Sequence, residues 1–118
     1  LLNRKITMLH SYKKYVKYRI KTPLPSYRQF PCVTPNFDNA SRRMHKGFTA
    51  FIGSTPQLYG KWLSSVFEKF KPYSQEKNFI FINAWNEWAE GNHLEPDQKW
   101  GRKYLEETKK NIDQYKNR

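Results

Sequence analysis

Asn78-Phe79-Ile80-Phe81-Ile82-Asn83 runs without interruption into Ala84-Trp85-Asn86-Glu87-Trp88-Ala89-Glu90, and this junction decides how the chain reads. The first half is a continuous apolar run, the pattern of a strand covered on both faces as in a parallel sheet. The second half opens a long loop, residues 84–99, rich in Trp, Asn, Glu and His. In α/β folds the loops at the carboxyl ends of parallel strands carry the chemistry. A buried strand that feeds carboxylates and indoles is therefore a candidate site as well as an element.

The flanking elements repeat the alternation. Upstream, Leu58, Trp62, Leu63, Val66, Phe67 and Phe70 share one helical face. Ser54 or Thr55 is placed to cap that helix, Pro56 suits its first turn, and Lys71-Pro72-Tyr73 closes it. Phe48-Thr49-Ala50-Phe51-Ile52 is a short apolar stretch stopped by Gly53-Ser54. Phe30 to Pro35 reads as a short buried strand that leads into a polar loop, Asn36 to Lys46. Leu9, Tyr12, Tyr15, Val16 and Ile20 recur at helical spacing until Pro23 and Pro25 end the pattern. A last helix from about Gly101 buries Tyr104, Leu105, Thr108, Ile112 and Tyr115. The order is helix, strand, loop, helix, strand, loop, helix, which is α/β. A complete (β/α)8 barrel takes about 250 residues, and 118 residues supply two to three such units. The chain is either a small open α/β domain or a piece of something larger.

Composition narrows the function less than the motifs do. Aromatic residues make up 17% of the chain, enough to fill a core or to line a carbohydrate site. The net charge of +12 is uneven, since residues 1–30 hold Arg4, Lys5, Lys13, Lys14, Lys17, Arg19, Lys21 and Arg28 and no acid. Such a balance suits an anionic partner, but a solvated helix face is the plainer reading. No RNP-like strand, GxxG loop or zinc-finger spacing supports nucleic-acid binding. The single cysteine, Cys32, excludes an intrachain disulfide and reads as a buried structural thiol. His10, His45 and His93 lack ligand-type spacing, so no metal is expected. Asn39-Ala40-Ser41 matches a glycosylation sequon, a weak signal at three residues.

Glu87 and Glu90 carry the strongest chemical signal. At i and i+3 of a helical turn their Cβ atoms lie roughly 5–6 Å apart, and retaining glycosidases hold their carboxyl pair about 5–5.5 Å apart. Trp85 and Trp88 flank Glu87, and such rings exclude water from a carboxyl and offer flat faces to sugar C–H groups. Gly91 permits a backbone reversal that a Cβ would hinder. His93 and Glu95 can bind hydroxyls, orient the glutamates, or only tie the loop. After the earlier strand, Asp38 and Asn39 can meet hydroxyls, and Arg42 or Arg43 can fork onto an anion or hold Asp38. An Asx-turn with surface arginines explains the same residues equally well.

Ile82 through Asp97 resembles the C-terminal signature of the WbsX-type glycosyltransferase family. These are bacterial proteins linked to lipopolysaccharide O-antigen synthesis and also described as glycoside hydrolase family 99-like. Pro31 through Arg43 is similar to the family's other late motif, Pro-x-x-x-Pro-Gly-Trp-Asp-Asn-Thr-x-Arg-Arg, with Asn36 and Phe37 standing where Gly and Trp are usual. The resemblance covers about residues 28 to 106, with both motifs in order. It implies the C-terminal portion of a (β/α)8 barrel, with residues 1–118 as one fragment of that domain.

It also implies an enzyme that transfers or hydrolyses a glycosyl unit in surface polysaccharide metabolism. By its likeness to endo-α-mannosidases, Glu87 is the base toward the substrate's own 2-hydroxyl and Glu90 the acid/base at the glycosidic oxygen. Trp85, Asn86, Trp88, His93, Glu95, Asp38, Asn39, Arg42 and Arg43 are then expected to bind substrate. The expected partners are a glycan or sugar donor and the remaining N-terminal barrel segment, without nucleic acid, metal or cofactor. The expected location is cytoplasmic, with peripheral contact at a membrane-linked glycan. The true N-terminus is expected to be absent and the isolated piece inactive. Two other readings compete: a non-catalytic carbohydrate-binding module, and a basic binder of nucleic acid or anionic membrane.

Overall fold

The computed structural model describes residues 6–43 and 46–118, so Arg4, Lys5 and His45 lie outside the described residues. Helix α3 (Pro56–Lys69) forms where the apolar stripe predicts, with Tyr59, Trp62, Leu63 and Val66 buried. Thr55 caps it, its hydroxyl accepting from Leu58 N at 3.2 Å. Pro56 occupies the first turn, where a missing N–H costs nothing. Helices α1 (Tyr12–Lys21) and α4 (Lys103–Lys116) both pack on α3.

Each helix contact has a specific cause. Between α1 and α3, Tyr15 and Trp62 meet edge to face at 5.4 Å, and Tyr12 and Tyr15 both reach Phe51, at 5.4 and 4.9 Å. Such pairs contribute about 0.5–1.5 kcal/mol beyond their area burial. Lys69 Nζ donates to the carbonyls of Arg19 (3.2 Å), Thr22 (2.9 Å) and Ile20. It thereby satisfies orphan acceptors at the negative end of α1. Helices α3 and α4 approach closely at Gly60, where a Cβ would fall 2.3 Å from Glu107 Oε2. Burial pushes the Tyr59 phenol up to about 12 and Tyr12 well above its ordinary value. Both are therefore neutral hydroxyls at physiological pH, and Tyr12 donates to Thr34 O at 2.7 Å.

Four short strands run alongside this helical layer. β1 (Met8–Ser11) pairs in parallel with β3 (Thr49–Ile52), and β2 (Cys32–Val33) pairs in parallel with β4 (Phe81–Ile82). The segment after β2 doubles back along β3, with Phe51 N donating to Phe37 O at 2.8 Å and Asn39 N to Thr49 O at 3.2 Å. The chain is thus a mixed α/β unit built on small parallel sheets. One core joins Tyr12, Val16, Val33, Tyr59, Leu63, Leu94 and Tyr104.

Several expectations need correction. Met8–Ser11 is a strand rather than the start of a helix, because pairing with Thr49–Ile52 satisfies its backbone, and Leu9 is 59% exposed. β4 is not covered on both faces among the described residues: Ile80 and Ile82 face the core, while Phe79 and Phe81 are 51% and 55% exposed. Cys32 is exposed rather than buried, although partial desolvation still raises its thiol pKa. On α4 Tyr104 is buried as expected, but its buried companion is Asn111, which donates to Gly60 O and Glu107 O, while Ile112 points outward. Lys13, Lys14, Lys17 and Lys21 form a solvated face of α1. Among the described residues, none of the bases before residue 31 pairs with an acid.

Leu63 is 1% exposed inside this core, so Leu63→Ala is expected to cost about 2–5 kcal/mol. Thr55→Ala removes one cap and is expected to cost about 1 kcal/mol. Urea denaturation of both variants checks the order, and equal losses would contradict the placement of α3 at the centre.

Candidate functional site

The parallel pairing of β2 with β4 brings the two candidate loops together. Val33 is in register with Ile82, and Asn83 N donates to Val33 O at 2.9 Å, so both strands end at one level. The Asn83–Ala84 peptide is cis. Beyond it the chain is not the irregular loop that composition suggests. β5 (Asn86–Glu87) and β6 (Asn92–His93) form a small antiparallel hairpin around a 3-10 turn at Trp88–Glu90.

Asn92 anchors this hairpin and was not singled out by the sequence reading. It is fully buried, and its Oδ1 accepts from Ala84 N at 2.9 Å and from Thr34 Oγ1 at 3.1 Å. One side chain thus ties the ends of β2 and β4 to the returning strand. An Asn in a polar loop gives no sequence signal of burial. Gly91 reverses the chain at φ +54°, and a Cβ there would lie 3.2 Å from Asp38 Cβ. That close approach lets Asp38 N donate to Glu90 O at 2.7 Å.

The two loops then meet through side chains. The one-turn helix α2 (Ala40–Arg43) starts with Asp38 Oδ1 accepting from Ala40 N at 2.9 Å, the Asx-turn the sequence allows. Ser41 Oγ donates to Ala89 O at 2.8 Å. Arg42 forks: Nη2 reaches Glu87 Oε1 at 2.7 Å and Nη1 reaches Glu90 Oε1 at 3.1 Å. The side chains of Arg42, Glu87 and Glu90 are 50%, 38% and 28% exposed. Ion pairs that open to solvent contribute at most about 1 kcal/mol each. Their structural effect is to hold two carboxyls at one planar group rather than to hold the fold.

A second cluster supports the indole beside them. Trp88 stacks on His93 with ring centroids 3.7 Å apart, and its Nε1 donates to Glu95 Oε2 at 2.6 Å. His93 Nδ1 contacts Glu95 O at 3.0 Å. Since a carbonyl only accepts, Nδ1 carries the proton. Trp85 is held by its carbonyl, which accepts from Leu94 N and Glu95 N, while its side chain stays 55% exposed. Asn86 is exposed on the hairpin opposite His93.

The remaining candidates turn to the backbone. Asn39 Oδ1 accepts from Thr49 N at 2.8 Å, and Arg43 Nε donates to Gly47 O at 3.0 Å. Neither is brought to the carboxyl pair by a hydrogen bond. Among the described residues no cluster of three or more His, Cys, Asp or Glu could hold a metal ion.

The profile of the family described as glycosyltransferase WbsX matches residues 2–108, nearly the whole chain and both loops. The chain belongs to the glycosyltransferase WbsX family. Two relatives, each called uncharacterized protein WxcX, come from Xanthomonas campestris pv. campestris strains B100 and ATCC 33913. Each is 40% identical over 88 residues, which cover 74% of this chain and 12% of the relative. The chain therefore spans a small part of the length of the curated relatives it matches. No solved structure matches it at a significant level. Membership in the WbsX family points to a carbohydrate-related role for the chain.

Glycine is required differently at two turns of this region. Gly53 is left-handed at φ +79° with open space where a Cβ would go, whereas at Gly91 the same Cβ meets Asp38. Gly53→Ala is expected to cost about 1–2 kcal/mol for the left-handed backbone alone. Gly91→Ala should cost more and should weaken the Arg42 fork. Thermal unfolding of the two variants checks the difference, and equal midpoints would remove the close approach.

Proposed function

We propose that this chain forms the C-terminal part of a (β/α)8-barrel enzyme that transfers or hydrolyses a glycosyl unit, with Glu87 and Glu90 as its reacting carboxyls. One observation carries the reading. Two carboxylates three residues apart share one guanidinium, beyond the aligned ends of two parallel strands, beside exposed indole rings. The WbsX family relationship supports a carbohydrate substrate, which in this reading is a glycan or sugar donor of bacterial surface polysaccharide metabolism such as O-antigen.

In this reading Glu87 removes the proton from the substrate's 2-hydroxyl as that oxygen attacks the anomeric carbon. Glu90 protonates the departing glycosidic oxygen. An acceptor hydroxyl or water then opens the intermediate, giving its proton to Glu90, while Glu87 returns a proton to O2. Arg42 keeps both carboxyls in reach of one ring, and Glu95 with His93 fixes the tilt of Trp88. Trp85 and Trp88 offer faces to sugar C–H groups, and Asn86 lies beside them for a hydroxyl.

Barrel closure is part of the proposal. The exposed Met8, Leu9, Phe79 and Phe81 lie along β1 and beside β4, the kind of apolar surface that marks a contact. The remaining strands of a longer chain would cover them. We place the enzyme in the cytoplasm, in peripheral contact with a membrane-linked glycan. Among the described residues no helix is long and apolar enough to cross a membrane.

In the full-length enzyme, Glu87→Gln and Glu90→Gln are each expected to lower turnover at least about a hundredfold, the scale of acid–base catalysis. Circular dichroism should not change. Arg42→Ala should lose more activity than Arg42→Lys, because lysine keeps the charge and loses the fork. Glutamine variants that turn over like the wild type would exclude the enzyme reading at these residues. Unchanged glycan affinity in a protein without turnover would favour a binding module.

A further inference from the structure

A cavity of about 270 Å³ is lined by Asn36, Ser54, His93, Asp97, Trp100 and Tyr104 among others. Gly91, the neighbour of Glu90, also lines it. The proposed mechanism uses none of its polar groups except His93, which acts there only as the stacking partner of Trp88. The cavity stands beyond the ends of β2 and β3, on the side where the candidate loops emerge.

Hydrogen positions inside it follow from its hydrogen bonds. Ser54 Oγ donates to Pro35 O, so the Ser54 proton is committed. The 2.7 Å contact between Ser54 Oγ and Tyr104 OH must then be donated by Tyr104. Both hydroxyl oxygens are left as acceptors. Asp97 adds a carboxylate, with Oδ1 accepting from Trp100 N and Oδ2 standing 3.8 Å from His93 Nε2. That gap is too long for a direct hydrogen bond, so Asp97 Oδ2 can accept from a ligand hydroxyl.

The cavity therefore asks for a ligand with several donors on a compact frame. Lys99 also lines the space, with its ammonium over the Trp100 ring, and the Asp97 carboxylate with the acceptor oxygens beside it favours a neutral ligand over an anion. Phe51, Ile52 and Trp100 supply apolar walls. At this volume the space is below the usual 300–1,000 Å³ range of ligand pockets, so it suits one ring rather than an oligosaccharide.

We propose that this cavity is a subsite for a single neutral sugar ring, whose hydroxyls donate to Asp97, Ser54 and Tyr104. The assignment deepens the glycosyl-transfer reading and rests on it for the choice of sugar over another polyol. It makes Asp97 and Tyr104 determinants of which sugar is accepted, separate from the carboxyls that react.

The test uses the full-length protein and methyl glycosides of the common aldohexoses and 6-deoxyhexoses, followed by calorimetry and saturation-transfer NMR. Inorganic phosphate serves as a competitor. At least one glycoside should bind saturably, and Asp97→Asn and Tyr104→Phe should each weaken it about tenfold, the scale of one lost hydrogen bond to a charged or buried group. Asp97→Asn keeps the acceptor for Trp100 N and Tyr104→Phe keeps the ring, and thermal midpoints confirm folding. Affinity should survive in Glu87→Gln and Glu90→Gln, and phosphate should not compete. No saturable glycoside binding, binding indifferent to both cavity variants, or displacement by phosphate overturns the subsite. Retained turnover in the glutamine variants would instead sink the catalytic reading, and the two cavity variants would still decide whether a sugar sits here.

Discussion

Phe81 N to Pro31 O and Asn83 N to Val33 O, both at 2.9 Å, lock β2 and β4 in parallel register. The rest of the site depends on that register. A slip of one residue would turn every side chain of β4 to the opposite face, setting Phe79 and Phe81 into the core and Ile80 and Ile82 outside. It would also carry the hairpin away from the loop that holds Arg42. Asn92 reinforces the register from the far side by accepting from both strand ends. Asp38 N to Glu90 O then joins the two loops by backbone. The fork of Arg42 is the last contact in this series, and it forms only if the earlier ones hold.

The aromatic residues divide between two tasks that composition alone could not separate. Tyr12, Tyr15, Phe51 and Trp62 form one packed group between α1, β3 and α3. Phe30, Phe70, Tyr73, Phe79 and Phe81 form another around the start of β2 and β4. Trp85 and Trp88 belong to neither group and are about half exposed. Hydrophobic packing thus accounts for most of the ring count. Of the exposed rings, Trp85 and Trp88 flank Glu87, whereas Tyr18 and Tyr27 lie elsewhere.

Strong local signals survived into the structure, and signals that depend on distant partners did not. α3 was legible to its cap because Thr55, Pro56 and the stripe from Leu58 to Phe70 all act within a few turns. The pairing of Glu87 with Glu90 was legible from spacing, and the nearness of Arg42 only as one option among several. β1 was not legible, because Met8–Ser11 becomes a strand only through Thr49–Ile52, some forty residues on. Nor was the burial of Asn92 and Asn111, since Asn92 Oδ1 accepts from Ala84 N and the Thr34 hydroxyl and Asn111 donates to the distant carbonyl of Gly60, partners that sequence does not reveal. The apolar run at Asn78–Asn83 announced two covered faces, and the described residues cover one.

The molecule carries a charge of +12, yet five of its ten acidic residues, Asp38, Glu87, Glu90, Glu95 and Asp97, fall in the two loops that meet at the Arg42 fork. One guanidinium between two carboxylates leaves a local excess of negative charge. The fork thus differs in charge balance from a molecule that is strongly basic as a whole. A sugar that develops positive charge at its anomeric carbon would find that charge favoured there.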